Sequence, residues 1–200
     1  MEFFRRAAAR PRTLGVFPGT FNPPTRAHVA LARAALGRVG EVVFVLPRAF
    51  PHKPYEGASF DERVRMLEAA LDGEPRFSVA ATEGGLFLEI ARECRAAYGP
   101  DVELFFLCGR DAAERAVNWD YGSRDAFREQ LREYRLLVAP RQGEYAPPAA
   151  MEERIDVLPV EGGYDEVSAT QVRERIRRGE PWEHLVPEPI VETVRRVYLP

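Results

Sequence analysis

Short apolar runs alternate along the chain with longer stretches in which apolar residues recur every three or four positions. The short runs are rich in β-branched and aromatic residues, which favours buried strands. They occupy residues 13–17, 41–46, 76–80, 102–108, 134–139 and 155–160. The longer stretches predict helices at residues 25–36, 59–71, 86–98, from 111 onward, 125–132, 168–178 and 188–197. Because strands that alternate with helices imply crossover units, we predict an α/β fold with a doubly wound, mostly parallel sheet.

The length of 200 residues corresponds to about one domain. We therefore interpret residues 1–200 as a single domain, with an N-terminal extension at 1–12 that is either frayed or docked. The helical stretches at 168–200 predict a small C-terminal helical cap. Pro159 in the last apolar run indicates a strand at the sheet edge, because proline lacks the N–H that a central strand donates.

Composition argues against several classes of protein. Hydrophobic residues make up 46% and charged residues 30% of the chain, and the net charge of −3 argues against a broad nucleic-acid-binding surface. No apolar run approaches the roughly 18 residues needed to cross a membrane. Cys94 and Cys108 form no metal-binding pair, and two thiols without a secretory leader predict a reduced, cytoplasmic protein.

The segment after the first predicted strand carries the first candidate chemistry. Ligands of open α/β sheets bind beyond the carboxyl ends of the strands, and Gly19 there allows a close approach of backbone to ligand. Thr25 and His28 are three positions apart at the start of the next helix, so they share one face of its first turn. N–H groups, a hydroxyl and an imidazole at a helix start favour phosphate binding. The ordinary alternative is a capping threonine followed by a surface histidine.

A second candidate is the basic loop at residues 47–54, after the second predicted strand. Lys53 is the only lysine of the chain, since all the other basic residues among the 28 are arginine. A compact ammonium donates to crowded phosphate oxygens in several directions, whereas a guanidinium needs a flat approach. We therefore interpret Lys53 as a phosphate ligand; the alternative is a solvated loop cation.

The third candidate is the helix start at Ser168. Ser168 and Gln171 predict a capping box, and Thr170 and Arg173 face one way from the same turn. Taken alone, this segment could be a plain capped helix. Two helix starts with hydroxyls and cations, together with the basic loop, indicate a polyphosphate held from several sides.

Several motifs, in their order along the chain, resemble the HxGH nucleotidyltransferase superfamily, and within it the nicotinate and nicotinamide mononucleotide adenylyltransferases. GVFPGTFNPPTRAH resembles the first motif of that superfamily, and SATQVRERI resembles its ISSTxxR motif. PHK, RVRMLEAAL, the Cys108–Asp111 segment with Trp119, and the ending RERIRRGEPWEHLVPEPIVETV are similar to the bacterial nicotinate enzymes. The resemblance covers residues 13–198 and implies a Rossmann-like fold.

The resemblance also implies roles for the matching residues. For ATP it implies contacts from Gly19, Thr20, Phe21, Thr25, His28, Gly109, Asp111, Ser168, Thr170 and Arg173. For the acceptor it implies contacts from Lys53, Gly85, Leu86 and Trp119. Trp119 would stack on the pyridine ring; without the resemblance it could equally be a core tryptophan. His28, Lys53 and Arg173 would act in catalysis, and Mg²⁺ would bridge the triphosphate with phosphate and water ligands.

The chain departs from the family pattern within two motifs. Thr25 and Ala27 stand where HxGH has its first histidine and its glycine, and Asn22 stands where the family has an aspartate. Residues 83–88 are mostly glycine and apolar, where the nicotinate enzymes usually carry Ser-Tyr-Thr. Because apolar pockets discriminate weakly between similar ligands, this loop predicts relaxed selection between carboxylate and carboxamide acceptors.

The resemblance predicts an enzyme that transfers AMP from ATP to nicotinate or nicotinamide mononucleotide, giving an NAD-type dinucleotide and pyrophosphate. Its partners would be ATP with Mg²⁺ and a pyridine mononucleotide, with neither nucleic acid nor membrane. Two alternatives stay open. One is an adenylyltransferase for another small phosphate acceptor, such as phosphopantetheine, and the other is a catalytically weak nucleotide-binding sensor.

Overall fold

The apolar runs form one seven-stranded sheet in the computed structural model, which describes residues 1–48, 57–119, 125–140, 143–164 and 166–199. The strands are β1 (Glu2–Arg5), β2 (Thr13–Pro18), β3 (Glu41–Pro47), β4 (Phe77–Thr82), β5 (Glu103–Gly109), β6 (Arg135–Ala139) and β7 (Ile155–Val157). The helices are α1 (Arg26–Ala35), α2 (Phe60–Ala70), α3 (Phe87–Tyr98), α4 (Arg110–Asn118), α5 (Ala126–Gln130), α6 (Ala169–Arg178) and α7 (Val191–Tyr198). Short 3₁₀ turns lie at Ala149–Met151, Glu183–Leu185 and Glu188–Ile190. Within the described ranges, no helix has both the length and the apolar character needed to cross a membrane.

The strand order β1-β4-β3-β2-β5-β6-β7 contains a reversal of direction. The chain moves outward from β2 through β3 to β4, then returns to the other side of β2 and moves outward from β5 to β7. The pairs from β4 to β7 are parallel, and β1 pairs antiparallel with β4. The predicted doubly wound, mostly parallel α/β sheet is confirmed. Ligands of such sheets bind at the switch point, here beyond the carboxyl ends of β2 and β5.

Both faces of the sheet are covered, which explains the unbroken apolar runs in its central strands. On β3, Val43 and Val45 join a core cluster with α3, α4 and α5, whereas Val42 and Phe44 join a cluster with α1 and α2. These four side chains are fully buried. The alternation follows from the two-residue period of a strand and fixes its register.

The C-terminal portion packs through a third cluster rather than onto the sheet. Val172 and Ile176 of α6 and Val194 of α7 bury their side chains with Trp182 and with Met66 of α2. This packing fixes the first turn of α6 relative to the rest of the fold.

The structure differs from the predicted elements at their ends. Residues 2–5 of the N-terminal extension form β1, which pairs with β4. The last strand ends at Val157 instead of residue 160, because Pro159 cannot extend the ladder, and β7 is an edge strand as predicted. The helix predicted at 188–197 begins as a 3₁₀ turn and becomes α7 at Val191. The helix predicted at 125–132 shortens to α5.

Candidate active site

β2 and β5 flank the switch point, and each leads through a glycine to a helix start. Gly19 directly follows β2, and Gly109 ends β5 and caps α4. Two pockets open beside these segments. The α1 pocket is lined by Phe17, Ala27, His28, Leu31, Gly109, Ala139, Pro140, Val160, Tyr164 and Val167. The α4 pocket is lined by Gly85, Leu86, Phe87, Ala112, Arg115, Ala116 and Trp119.

Both pockets border the start of α4. Gly109 lines the α1 pocket and Ala112 lines the α4 pocket, and the two residues are separated by about one helical turn at the start of α4. Two ligands bound in these pockets would therefore approach each other at the carboxyl ends of β2 and β5.

His28 is held in position by the N-terminal cap of α1. Its Nδ1 accepts a hydrogen bond from the Thr25 N–H at 2.9 Å and lies 2.8 Å from Thr25 Oγ1. The His28 N–H donates to Thr25 Oγ1 at 3.4 Å, so the pair forms a capping box with histidine in the position usually taken by Glu or Gln. Because Nδ1 faces an N–H donor, the proton of the neutral imidazole lies on Nε2. His28 therefore carries an N–H donor at Nε2 in a ring that lines the α1 pocket.

Thr25 supports this histidine from inside the protein. It is fully buried and contacts the His28 ring through its N–H and its Oγ1, and the ATP contact that the resemblance implies stays a prediction. Phe17 and Phe21 pack against the same imidazole, with ring centroids 5.9 and 5.2 Å from it. The orientation of His28 is thus fixed by two hydrogen-bonding groups and two aromatic rings.

The loop after β2 is built around a buried phenylalanine. Phe21 has a φ of 47°, a conformation that bulky residues rarely adopt, and its ring is 1% exposed. A Cβ at Gly19 would lie 3.0 Å from this ring, so only glycine fits without a shift. Buried Arg63 of α2 donates from Nη1 to the Thr20 carbonyl at 3.1 Å. The Phe21 ring and the Arg63 guanidinium therefore support the loop backbone that is predicted to contact the ATP phosphates.

Asn22 connects this loop to the C-terminal portion. Its Oδ1 accepts hydrogen bonds from the Ala58 N–H at 3.2 Å and from the Tyr198 hydroxyl of α7. Its carbonyl accepts from Arg173 Nη1 at 2.6 Å, and Arg173 Nη2 also donates to Thr170 Oγ1 at 3.3 Å. The structure thus brings the first and third sequence candidates together, although they are 151 positions apart in the chain.

The helix start at Ser168 forms only part of the predicted cap. Ser168 Oγ accepts from the Gln171 N–H at 3.1 Å, as expected of an N-cap. The reciprocal bond of a capping box is missing, since Gln171 Oε1 is buried without a hydrogen-bond partner among the described residues. Thr170 is exposed at this first turn. The predicted capping box is therefore wrong in its second half.

The α4 pocket brings together three of the predicted acceptor contacts. Gly85 and Leu86 line one side and Trp119 lines the other. Trp119 is 45% exposed, so it is not a core tryptophan. Asp111 is exposed in the first turn of α4, next to the α1 pocket but not among its lining residues.

Two further groups of residues bear on the chemistry. Lys53 and the rest of residues 49–56 lie outside the described part of the chain. Within the described part, no three His, Cys, Asp or Glu side chains gather as a metal site. Burial raises the pKa of the Cys94 and Cys108 thiols to about 12, so both stay protonated at neutral pH and neither serves as a nucleophile.

Sequence reasoning missed three residues that the structure adds to the site. Arg115 shares a helix face with Ala112 and Trp119, and this spacing was a signal that could have found it. Arg63 and Tyr198 reach the loop after β2 only through tertiary packing, for which no local pattern exists.

Comparison with known proteins gives a consistent result. Residues 16–175 match the cytidylyltransferase-like family. A probable nicotinate-nucleotide adenylyltransferase of Gloeobacter violaceus is 31% identical over 198 residues, which cover 92% of this chain and 93% of that protein. A protein of the same description from Geobacillus kaustophilus is 32% identical, over 88% of this chain and 80% of the relative.

A solved structure has a similar fold. It is described as Plasmodium falciparum nicotinic acid mononucleotide adenylyltransferase complexed with NaAD, and it matches 91% of this chain and 96% of its own with a TM-score of 0.67. At 14% sequence identity this likeness concerns the fold alone. The family match and the two sequence relatives each extend over most of the chain, and the chain therefore belongs to the cytidylyltransferase-like family and is a nucleotidyltransferase of the nicotinate-nucleotide adenylyltransferase group.

Proposed function

We propose that this protein transfers the adenylyl group of ATP to nicotinate or nicotinamide mononucleotide, with the nucleotide in the α1 pocket and the pyridine ring in the α4 pocket. The observation that carries this proposal is the adjacency of the two pockets at the switch point, with His28 in the wall of one and Trp119 in the wall of the other. The curated relatives bear the name of this reaction with nicotinate mononucleotide as the acceptor.

The reaction needs no covalent intermediate on the protein. A phosphate oxygen of the mononucleotide forms a bond to the α-phosphorus of ATP, and the bond from that phosphorus to the oxygen bridging to the β-phosphate breaks. Pyrophosphate leaves with the electron pair of the broken bond. Catalysis then consists of positioning and of stabilising the charge that moves onto the leaving group.

His28 has the geometry to stabilise that charge. In our proposal its Nε2–H donates to oxygens of the α- and β-phosphates, while the Thr25 N–H keeps Nδ1 occupied. Ser168, Thr170 and Arg173 would bind the β- and γ-phosphates at the start of α6, and Gly109 with Asp111 would hold the ribose. Lys53 would contribute a compact cation to a phosphate of one substrate.

Mg²⁺ enters this scheme as part of the substrate, Mg·ATP. Phosphate oxygens and water are ligands that Mg²⁺ favours, so the N–H donors of the loop after β2 and the Arg173 cation of α6 suit a nucleotide that brings its own ion. Bound with the triphosphate, the ion would supply charge neutralisation that favours the departure of pyrophosphate.

The test is a panel of acceptors with the purified protein. Protein, ATP and Mg²⁺ are incubated with nicotinate mononucleotide, nicotinamide mononucleotide or phosphopantetheine, and pyrophosphate and adenylylated product are both measured. We expect both products only with a pyridine mononucleotide and only with Mg²⁺ present. Transfer to phosphopantetheine alone would identify a different acceptor. Binding of ATP without transfer to any acceptor would identify a sensor, and either result overturns the proposal.

A further inference from the structure

The α4 pocket is apolar apart from one side chain. Gly85, Leu86 and Phe87 form the wall contributed by the start of α3, and Ala112, Ala116 and Trp119 belong to the opposite wall. Arg115 is the charged residue among those that line the pocket. It lies on α4 between Ala112 and Trp119, on the helix face that carries the ring-binding tryptophan.

The charge of Arg115 has no acidic partner in the part of the chain that the structure describes. On the same helix, Arg110 Nε pairs with Glu114 Oε1 at 2.7 Å, the usual state of a helical arginine beside a glutamate. The carboxylate next to the α3 wall, Glu89, accepts the Leu86 N–H at 3.1 Å and so caps its own helix. The side chain of Arg115 forms no ion pair and no hydrogen bond with described residues. Among the described residues, nothing acidic therefore occupies this guanidinium, which lies on an apolar pocket wall where an anionic ligand could bind.

Nicotinate and nicotinamide differ in one group on the pyridine ring, an anionic carboxylate in the first and a neutral carboxamide in the second. Stacking on Trp119 treats the two rings alike, because both present the same flat face. A guanidinium distinguishes the two rings. It binds both oxygens of a carboxylate with parallel N–H bonds, whereas a carboxamide offers one oxygen and no charge. The wall at residues 83–88 contributes no cation that could make the same distinction.

We propose that Arg115 is the specificity-determining residue of the acceptor site, and that its guanidinium pairs with the ring carboxylate of nicotinate mononucleotide. This inference rests on the proposed function and deepens it. The apolar loop at 83–88, considered alone, predicts weak selection between the two acceptors. Arg115 supplies, from the opposite wall, the positive charge that this loop lacks, so the protein selects the acceptor with the ring carboxylate.

The experiment compares wild type with Arg115→Gln, Arg115→Lys and Arg92→Gln. Arg92 is the matched control, because it is an exposed arginine of α3 that lines neither pocket. For each protein, kcat/KM is measured with nicotinate and with nicotinamide mononucleotide at saturating Mg·ATP, together with the KM for ATP and the thermal unfolding midpoint.

For Arg115→Gln we expect kcat/KM with nicotinate mononucleotide to fall about 10- to 100-fold, the range for loss of a hydrogen bond to a charged group. The value with nicotinamide mononucleotide, the KM for ATP and the unfolding midpoint stay near wild type. Arg115→Lys keeps the charge but loses the bidentate fork, so it recovers part of the loss. Arg92→Gln retains the wild-type ratio of the kcat/KM values for the two acceptors.

Two results overturn the inference, and they are distinguishable. If wild type transfers to a pyridine mononucleotide and Arg115→Gln leaves the ratio of the two acceptors unchanged, Arg115 is not the determinant and backbone N–H groups make the selection. If wild type transfers to neither pyridine mononucleotide, the proposed function itself fails. If Arg115→Gln lowers kcat/KM with both acceptors to the same extent and also lowers the unfolding midpoint, Arg115 has a structural role and the inference is rejected.

Discussion

At the level of single residues, the hydrogen bond from the Thr25 N–H to His28 Nδ1 determines what the imidazole can donate. The ring is left with its proton on Nε2 and is packed between Phe17 and Phe21, so little freedom is lost when a phosphate binds. Preorganised donors of this kind act mainly on the transition state, because they are aimed before the charge develops.

His28→Ala tests this role. We expect kcat to fall about 10²- to 10³-fold, the range for loss of one preorganised donor, with a much smaller change in the affinity for ATP. His184→Ala is the control, because His184 is an exposed histidine of a 3₁₀ turn away from both pockets. Steady-state kinetics and calorimetric ATP binding separate the two effects. A variant with normal kcat and only a raised KM contradicts the assignment.

At the level of elements, the site depends on how α6 and α7 meet the loop after β2. Arg173 spans this junction, since one guanidinium nitrogen holds the Asn22 carbonyl and another holds Thr170 of its own helix. Asn22 is held in addition by Tyr198 of α7. A displacement of the C-terminal portion would therefore reach the loop that carries Gly19 and Thr20.

Arg173→Ala is expected to weaken ATP and pyrophosphate binding together, by about 10- to 100-fold, and to leave the mononucleotide unaffected. The reason is that Arg173 lies at the predicted β,γ-phosphate end of the site and not in the α4 pocket. Arg177→Ala, one turn further along the exposed side of α6, is the matched control. Isothermal titration calorimetry with each ligand measures these affinities. An unchanged affinity of Arg173→Ala for ATP would contradict the phosphate-binding role of Arg173.

Local patterns predicted most of the elements and proposed candidate residues at their ends, and they failed where tertiary packing decides. The cap at Thr25 and the start of α2 next to residue 59 follow from short-range rules, and they lie as those rules place them. The sequence predicted β1 only as a frayed or docked extension. Four residues are too few to show the alternating pattern of a strand, which here depends on pairing with β4. Arg63 reaches Thr20 across 43 positions, and no spacing rule connects residues that far apart.

At the level of the whole molecule, the N-terminal segment closes over a buried acid at the opposite end of the sheet from the pockets. Glu41, at the start of β3, is 1% exposed. Its Oε1 accepts from Ser78 Oγ at 2.6 Å and from the Tyr98 hydroxyl at 2.5 Å, and Ser78 Oγ accepts from the Ala7 N–H at 2.9 Å. Burial raises the pKa of Glu41 above its usual value of 4.5, against the lowering effect of these hydrogen bonds.

This raised pKa makes the stability of the fold depend on pH in a defined direction. The folded state holds the proton of Glu41 more tightly than the unfolded chain, so the contribution of Glu41 is fully present below about pH 4.5 and is lost as the pH rises through the folded-state pKa. Glu41→Gln cannot titrate. We therefore expect the free energy of unfolding of wild type, relative to Glu41→Gln, to decrease as the pH rises from about 4.5 toward neutrality.

Chemical denaturation at several pH values measures this difference. Glu103→Gln is the control, because it is the same substitution at an exposed glutamate at the start of β5. Parallel stability curves for wild type and Glu41→Gln would show that Glu41 titrates alike in the folded and unfolded states. The pH at which the decrease levels off reports the folded-state pKa of Glu41.

The switch point also divides the chain's two recognition tasks between separate lengths of sequence. Every described residue that lines the α4 pocket falls between Gly85 and Trp119, whereas the α1 pocket draws on residues from Phe17 to Leu31 and from Ala139 to Val167, and on Gly109 from within the first stretch. In the proposed function this stretch therefore supplies the ring end of the acceptor site, and it also carries Gly109 and Asp111 on the nucleotide side. Exchanging residues 85–87 and 112–119 for the equivalent positions of a relative, with Gly109 and Asp111 kept, should change the preferred acceptor and leave the KM for ATP near that of wild type.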